Sequence, residues 1–241
     1  MEYYYKKEEI KARSKYLDLA KKLLEEDDLL QGIKIIPRQS FVYDHDDCDF
    51  SDGKSTRRTE KRLCRCLVNF EKQGARKNCG ACCMNITHRL AKRVCGEKGA
   101  ACAFLDFEVP VSPCSDDQIG EIDLILSFDG EIYATEFKPS WNTESVLRMI
   151  AEIVTYGAFA SASENFPFPA FKKAIMFMDA DEKVQLKNRT ELRKPEQYRQ
   201  FCEKGYRYGI DDSVRALLAK YEISVFCLSS EKEEYVVKKL W

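Results

Sequence analysis

The stretch Gly120-Glu-Ile-Asp-Leu-Ile-Leu-Ser-Phe-Asp-Gly-Glu-Ile-Tyr-Ala-Thr-Glu-Phe-Lys138 decides how the rest of this chain is read. Two apolar-rich runs, 121–128 and 131–138, flank Asp129-Gly130. An Asp-Gly pair between such runs is the strongest short-range signal for a two-residue hairpin turn with positive φ. A loop of that length sets the register. Phe128 then faces Glu131, and counting back puts Asp123 opposite Glu136 and Glu121 opposite Lys138. Side chains alternate along a strand, so Asp123, Glu136 and Lys138 are predicted on one face.

Two facing carboxylates repel, and burial among Ile122, Leu124, Ile125, Leu126, Ile132 and Ala134 raises the cost. A divalent cation with oxygen ligands would neutralise the pair, and the Phe137 carbonyl offers a third oxygen. Lys138 would stand beside it as a point charge able to orient water or stabilise an oxyanion. The rival reading is an edge hairpin whose Asp, Glu and Lys are simply solvated.

Asp123 followed by Glu136-Phe137-Lys138 resembles the PD-(D/E)xK nuclease superfamily, in which an acid on one strand precedes Glu/Asp-x-Lys on the next. Gly120 through Asp123 is similar to the GxxD form of its RecB-like exonuclease branch; the proline that often precedes the first acid is absent. The resemblance covers roughly residues 55–180. It implies an α/β, restriction-endonuclease-like αβββαβ core: a mixed central sheet flanked by helices, here with a Cys-rich helical insertion.

Upstream, residues 55–74 read as a helix capped by Ser55 or Thr56, with Glu60, Leu63, Leu67 and Phe70 on one stripe. A carboxylate on a buried stripe needs a reason. The resemblance supplies one, since the helix before the first core strand often lends a Glu to the metal site. Glu60 is therefore expected as a fourth site residue and metal ligand, beside Asp123, Glu136 and Phe137. Arg57, Arg58, Lys61 and Arg62 cover the opposite side, with Arg65, and are expected to meet phosphates. Downstream, a helix is expected from Thr143, its N-cap, through Ala160, with Leu147, Ile150, Val154, Gly157 and Ala158 inward. RecB-like nucleases carry Gln-x-x-x-Tyr on this helix; Glu152-Ile-Val-Thr-Tyr156 matches with Glu in place of Gln, making Glu152 and Tyr156 expected accessory residues.

The net charge of −1 over 241 residues names no partner. Its distribution is more telling: residues 54–98 hold 13 Lys/Arg against 3 acids, while the remainder is acidic. Such asymmetry suggests either a face for a polyanion or a solvated helix surface. No apolar run approaches the ~18 residues of a membrane span, and residues 1–7 lack an apolar signal core. A cytoplasmic protein without a membrane partner is expected. Its 11 cysteines are then free thiols or metal ligands rather than disulfides. Cys79-x-x-Cys82 has zinc-knuckle spacing, but Cys95 and Cys102 are seven apart rather than three. These four are the candidate zinc set. Cys serving as a small apolar residue is the favoured reading.

The rest is expected in order as a charged helix over 6–30, a short strand near 33–36 and a solvated acidic loop at 44–52. Strands follow over 102–112 and 171–179, the second hairpin strand being stopped by Pro139. Helices are expected over 187–221 and a last strand over 223–229. The expected organisation is an N-terminal helical extension (1–54), a nuclease-like unit (55–230, with the Cys-rich insertion at 75–100) and a C-terminal tail (231–241), all in one domain. The implied function is Mg²⁺- or Mn²⁺-dependent hydrolysis of phosphodiesters in DNA, or equally RNA. The alternatives are a nuclease fold that binds nucleic acid without cleaving it, and a zinc-dependent interaction module.

Overall fold

The computed structural model describes residue 25 and residues 60–73, 93–111, 120–164, 166–186, 189–207, 209–231 and 234–241. The helix expected over 6–30 (apart from Glu25, which is helical), the 33–36 strand, the 44–52 loop, Ser55, Thr56, Arg57, Arg58, Cys79 and Cys82 lie outside the described residues.

The hairpin forms as the Asp-Gly signal predicts. Strands β3 (Glu121–Phe128) and β4 (Glu131–Lys138) pair antiparallel, with Phe128 opposite Glu131 and Leu124 opposite Thr135. Asp129 and Gly130 take φ of 51° and 80°, the left-handed pair that a two-residue turn matched to strand twist requires. Helix α1 (Glu60–Gln73) precedes β1 (Arg93–Gly96) and β2 (Cys102–Pro110); α2 (Val146–Ala162) follows β4 and leads into β5 (Lys172–Met178).

Three expectations about the flanks are corrected. Cys95 belongs to a strand, not to a helical insertion: Arg93-Val-Cys-Gly96 lies parallel to the chain's final strand, while Cys102 opens β2 in the strand expected from residue 102. Residues 187–221 are not all helical. Strand β7 (Arg189–Arg193) pairs with β6 (Glu182–Leu186) in a small antiparallel ribbon, and only α3 (Glu196–Cys202) and α4 (Asp212–Lys220) follow. Leu192 of this ribbon is exposed. The tail is a strand too. After β8 (Ile223–Glu231), β9 (Glu234–Lys239) pairs antiparallel with it and buries Tyr235 and Val237.

The main sheet among the described residues has seven strands in the order β1-β9-β8-β5-β4-β3-β2. It is mixed: β4, β5 and β8 run parallel, while β2, β3 and β4 form an antiparallel meander. The parallel strands are buried on both faces and read as near-continuous apolar runs, as in Ala174-Ile-Met-Phe-Met178. One face packs Ile125, Ala134, Ile175, Phe177 and Val225 against Leu147, Ile150, Ile153 and Val154 of α2 and Val214, Leu217 and Leu218 of α4. The other packs Leu124, Leu126, Phe137, Met176 and Phe226 against Leu63 and Leu67 of α1. The protein is thus α/β, with helices on both faces of a mixed sheet. No helix among the described residues is long and apolar enough to cross a membrane.

Candidate metal centre

Strand β4 ends at Lys138, and Pro139 blocks its continuation. Alternation puts Glu136 and Lys138 on the face of Ala134, which packs against α2. Both side chains are almost completely buried, at 3% and 5% exposure, which removes the solvated-hairpin reading. Asp123 lies next to them on β3, and its Oδ2 accepts the Phe137 backbone N–H at 2.9 Å. The Phe137 side chain itself points into the opposite core.

Glu60 arrives from the first turn of α1. One carboxylate oxygen each from Glu60, Asp123 and Glu136 lie within 4.8 Å of one another, the only such group of three among the described residues. Lys138 ties them together. Its Nζ donates to Glu60 Oε1 at 2.9 Å and contacts Glu136 Oε1 directly; Asp123 Oδ2 stands at 3.7 Å. Two further carboxylates close in, Glu144 Oε2 at 3.6 Å and Glu152 Oε2 at 3.8 Å. Arg148 braces that pair from behind, with 2.6 Å to Glu144 Oε1 and 2.9 Å to Glu152 Oε1. Five carboxylates thus face two cations, Lys138 and Arg148, a formal excess of three negative charges.

That excess shapes protonation. Burial, then the charge of Asp123, pushes the Glu60 carboxyl up to about 7. Burial, then Asp123, holds Glu136 well above the usual carboxylate range. Asp123 is also raised by burial, against the opposing pull of Lys138 and the Phe137 N–H. Burial alone would lower Lys138, but Glu136, Asp123 and Glu60 outweigh it, and the ammonium is held above its ordinary value. The carboxylates therefore lack positive charge while the lysine is firmly protonated. Glu136 Oε2 is buried with no hydrogen-bond partner among the described residues, which in a well-packed interior calls for a further donor or cation. The oxygen-only donor set and this orphaned atom both fit a hard divalent ion such as Mg²⁺ or Mn²⁺.

The other expected residues divide. Glu152 reaches the centre through Lys138. Tyr156 lies one turn further along α2, buried against Gly120: a Cβ added there would meet its Cε1 at 2.7 Å. Lys61 is exposed, but its ammonium bonds Glu121 Oε2 at 2.7 Å and approaches Glu108 Oε2 at 3.6 Å, so it is already neutralised. The side chain of Arg62 lies outside the described residues. Cys64 and Cys66 are buried on α1, and burial, then the Asp123 charge, pushes the Cys64 thiol well up. A neutral buried thiol acts as an apolar filler, the role favoured from the sequence. Of the candidate zinc set, Cys95 donates to the Tyr235 carbonyl at 3.7 Å and Cys102 packs beside the core that faces α1.

Four residues of the centre were not foreseen: Asn142, Glu144, Arg148 and Gln197. Asn142 Nδ2 donates to Glu60 Oε2 at 3.1 Å. The helix of which Arg148 is part is capped by Ser145, whose Oγ accepts the Arg148 N–H, and not by Thr143. Glu144 thus stands just before the cap, while Arg148 and Glu152 lie four residues apart on one face of the helix. No family model, curated protein or solved structure matches this chain.

Proposed function

We propose that this protein is a metal-dependent nuclease of the restriction-endonuclease-like class that hydrolyses phosphodiester bonds, with DNA as the first substrate to test. The observation that carries the reading is the convergence of Glu60, Asp123 and Glu136 within 4.8 Å around a protonated Lys138. Residues from α1, β3 and β4, far apart in sequence, bring buried negative charge to one spot. Such an arrangement costs stability unless it serves binding or catalysis. The centre also sits at the C-terminal end of β4, where open α/β sheets commonly hold ligands.

Asp123, Glu136 and Glu60 would hold Mg²⁺ or Mn²⁺, which supplies Lewis-acid polarisation of the scissile phosphate and lowers the pKa of the attacking water. The chain's own groups do the rest. Lys138, buried and charged at any working pH, presents a donor where negative charge develops on the phosphoryl oxygens. Glu152 and Arg148 fix the position of that ammonium from the helix side. Buried apolar neighbours keep bulk water from screening these charges. The odd cysteine count and the buried Cys64 and Cys66 suit a reducing cytoplasm.

The test is cleavage of labelled single-stranded DNA, duplex DNA and RNA in Mg²⁺, Mn²⁺ or EDTA. Cleavage should require the divalent ion, and Lys138→Ala should slow it by about a hundredfold or more. A Lys138→Ala protein that cleaves at the parent rate would overturn the proposal.

A further inference from the structure

Glu60 would be one ligand among three, yet it sits at the very start of its helix and depends on other elements for its orientation. Each of its oxygens has a separate donor: Lys138 Nζ on Oε1 at 2.9 Å and Asn142 Nδ2 on Oε2 at 3.1 Å. Asn142 lies in the segment between β4 and α2, and its amide can point only one way. Its Oδ1 accepts the Glu144 backbone N–H at 2.7 Å, which leaves Nδ2 for Glu60. Turning the amide over would set an NH₂ against an N–H and an oxygen against a carboxylate.

The segment that carries Asn142 is held from α3. Gln197 Nε2 donates to the Asn142 carbonyl at 3.2 Å and to the Glu144 carbonyl at 2.8 Å. One turn on, Gln200 Oε1 accepts the Val146 N–H at 2.9 Å. Gln197 has no exposed surface, and its Oε1 finds no partner among the described residues. A buried amide with an unpaired oxygen is costly, and the two bonds it donates to the 142–144 backbone are what offset that cost.

We infer that Asn142 is a positioning residue for Glu60, turning the carboxylate so that Oε1 faces Asp123 and Glu136, and that Gln197 holds Asn142 in that attitude. The inference rests on the metal-site reading only for what Glu60 then binds. Partners that orient a metal ligand typically change metal affinity ~10–100-fold when removed.

Asn142→Ser separates positioning from loop structure. A serine hydroxyl can still accept the Glu144 N–H, as such turns allow, but it cannot reach Glu60 with a donor. Calorimetric Mn²⁺ titration should show Asn142→Ser binding about tenfold more weakly than the parent protein. Glu60→Gln should weaken binding further, and the double variant should be no weaker than Glu60→Gln alone. Parent-like affinity in Asn142→Ser, or effects that multiply in the double variant, would overturn the positioning role. A parent protein that binds no Mn²⁺ would instead sink the metal reading, and the Asn142 side-chain amide signal in a ¹⁵N spectrum then decides the inference. That signal should move in Glu60→Ala and in Gln197→Met. An unmoved signal in Glu60→Ala ends the inference, and one unmoved in Gln197→Met removes Gln197 from it.

Discussion

The Lys138 ammonium donates to Glu60 Oε1 at 2.9 Å although the two residues are 78 positions apart. The same ammonium touches Glu136, so it occupies two of the three carboxylates that would bind a divalent ion. Lysine and metal compete for these oxygens, with Glu144 and Glu152 standing ready to receive the displaced ammonium. Replacing Lys138 by Met should therefore tighten Mn²⁺ binding. In EDTA the same variant should lose about 3 kcal/mol or more of stability, since buried carboxylates are left unpaired. Thermal denaturation in EDTA and in Mn²⁺ reads both effects; a smaller Mn²⁺-induced rise in Tm than in the parent would contradict the competition.

Stability without metal should fall as the pH rises from about 4.5 to about 7. Burial and the Asp123 charge push Glu60 from an ordinary 4.5 up to about 7. Between those values the folded protein holds a proton that the unfolded chain has already lost. Unfolding then releases a proton, so raising the pH favours the unfolded state. Asp123 and Glu136 are shifted in the same direction, while the raised Lys138 changes stability only in strong alkali. Tm in EDTA should decline across this window and decline less in Glu60→Gln. A flat or rising profile would show that the carboxyls are not held protonated.

Gly120 should tolerate no side chain. Its φ is +125°, and a Cβ would press on the Tyr156 ring at 2.7 Å. Gly130 has φ +80° but open space around it. Backbone strain costs about 1–3 kcal/mol at either position, while only Gly120→Ala adds the clash. Urea denaturation should rank Gly120→Ala as the more damaging change. Equal losses would mean that Tyr156 yields freely.

Nucleic-acid affinity should depend more on Arg57, Arg58 and Arg62 than on Lys61, which Glu121 and Glu108 already neutralise. Changing the three arginines to Gln should flatten the fall of log K with log salt by about 0.9 for each duplex phosphate that is no longer neutralised. Lys61→Gln should alter that slope little. An unchanged slope in the triple variant would mark the basic segment as a solvated surface.

What the sequence made legible was what short-range chemistry controls. Asp129-Gly130 set the hairpin register, alternation put Glu136 beside Lys138, and the Leu63/Leu67 stripe turned Glu60 inward. What stayed hidden depended on distant partners. Gln197 is one polar residue on a seven-residue helix, and nothing local announces that its amide will reach back 55 positions to Asn142. Arg93–Gly96 is too short to read as a strand until β9 is there to pair with it. Arg189–Arg193 reads as part of a helix until β6 is there to pair with it.

The grip of α3 on the 142–146 segment bears on the order in which the protein matures. The hairpin and α1 leave the ribosome well before Gln197, Gln200 and the strands β8 and β9. Contacts between residues far apart in sequence form slowly. A chain that has not yet added Gln197 lacks the amide that holds Asn142, so the support behind Glu60 is completed only once α3 has been made.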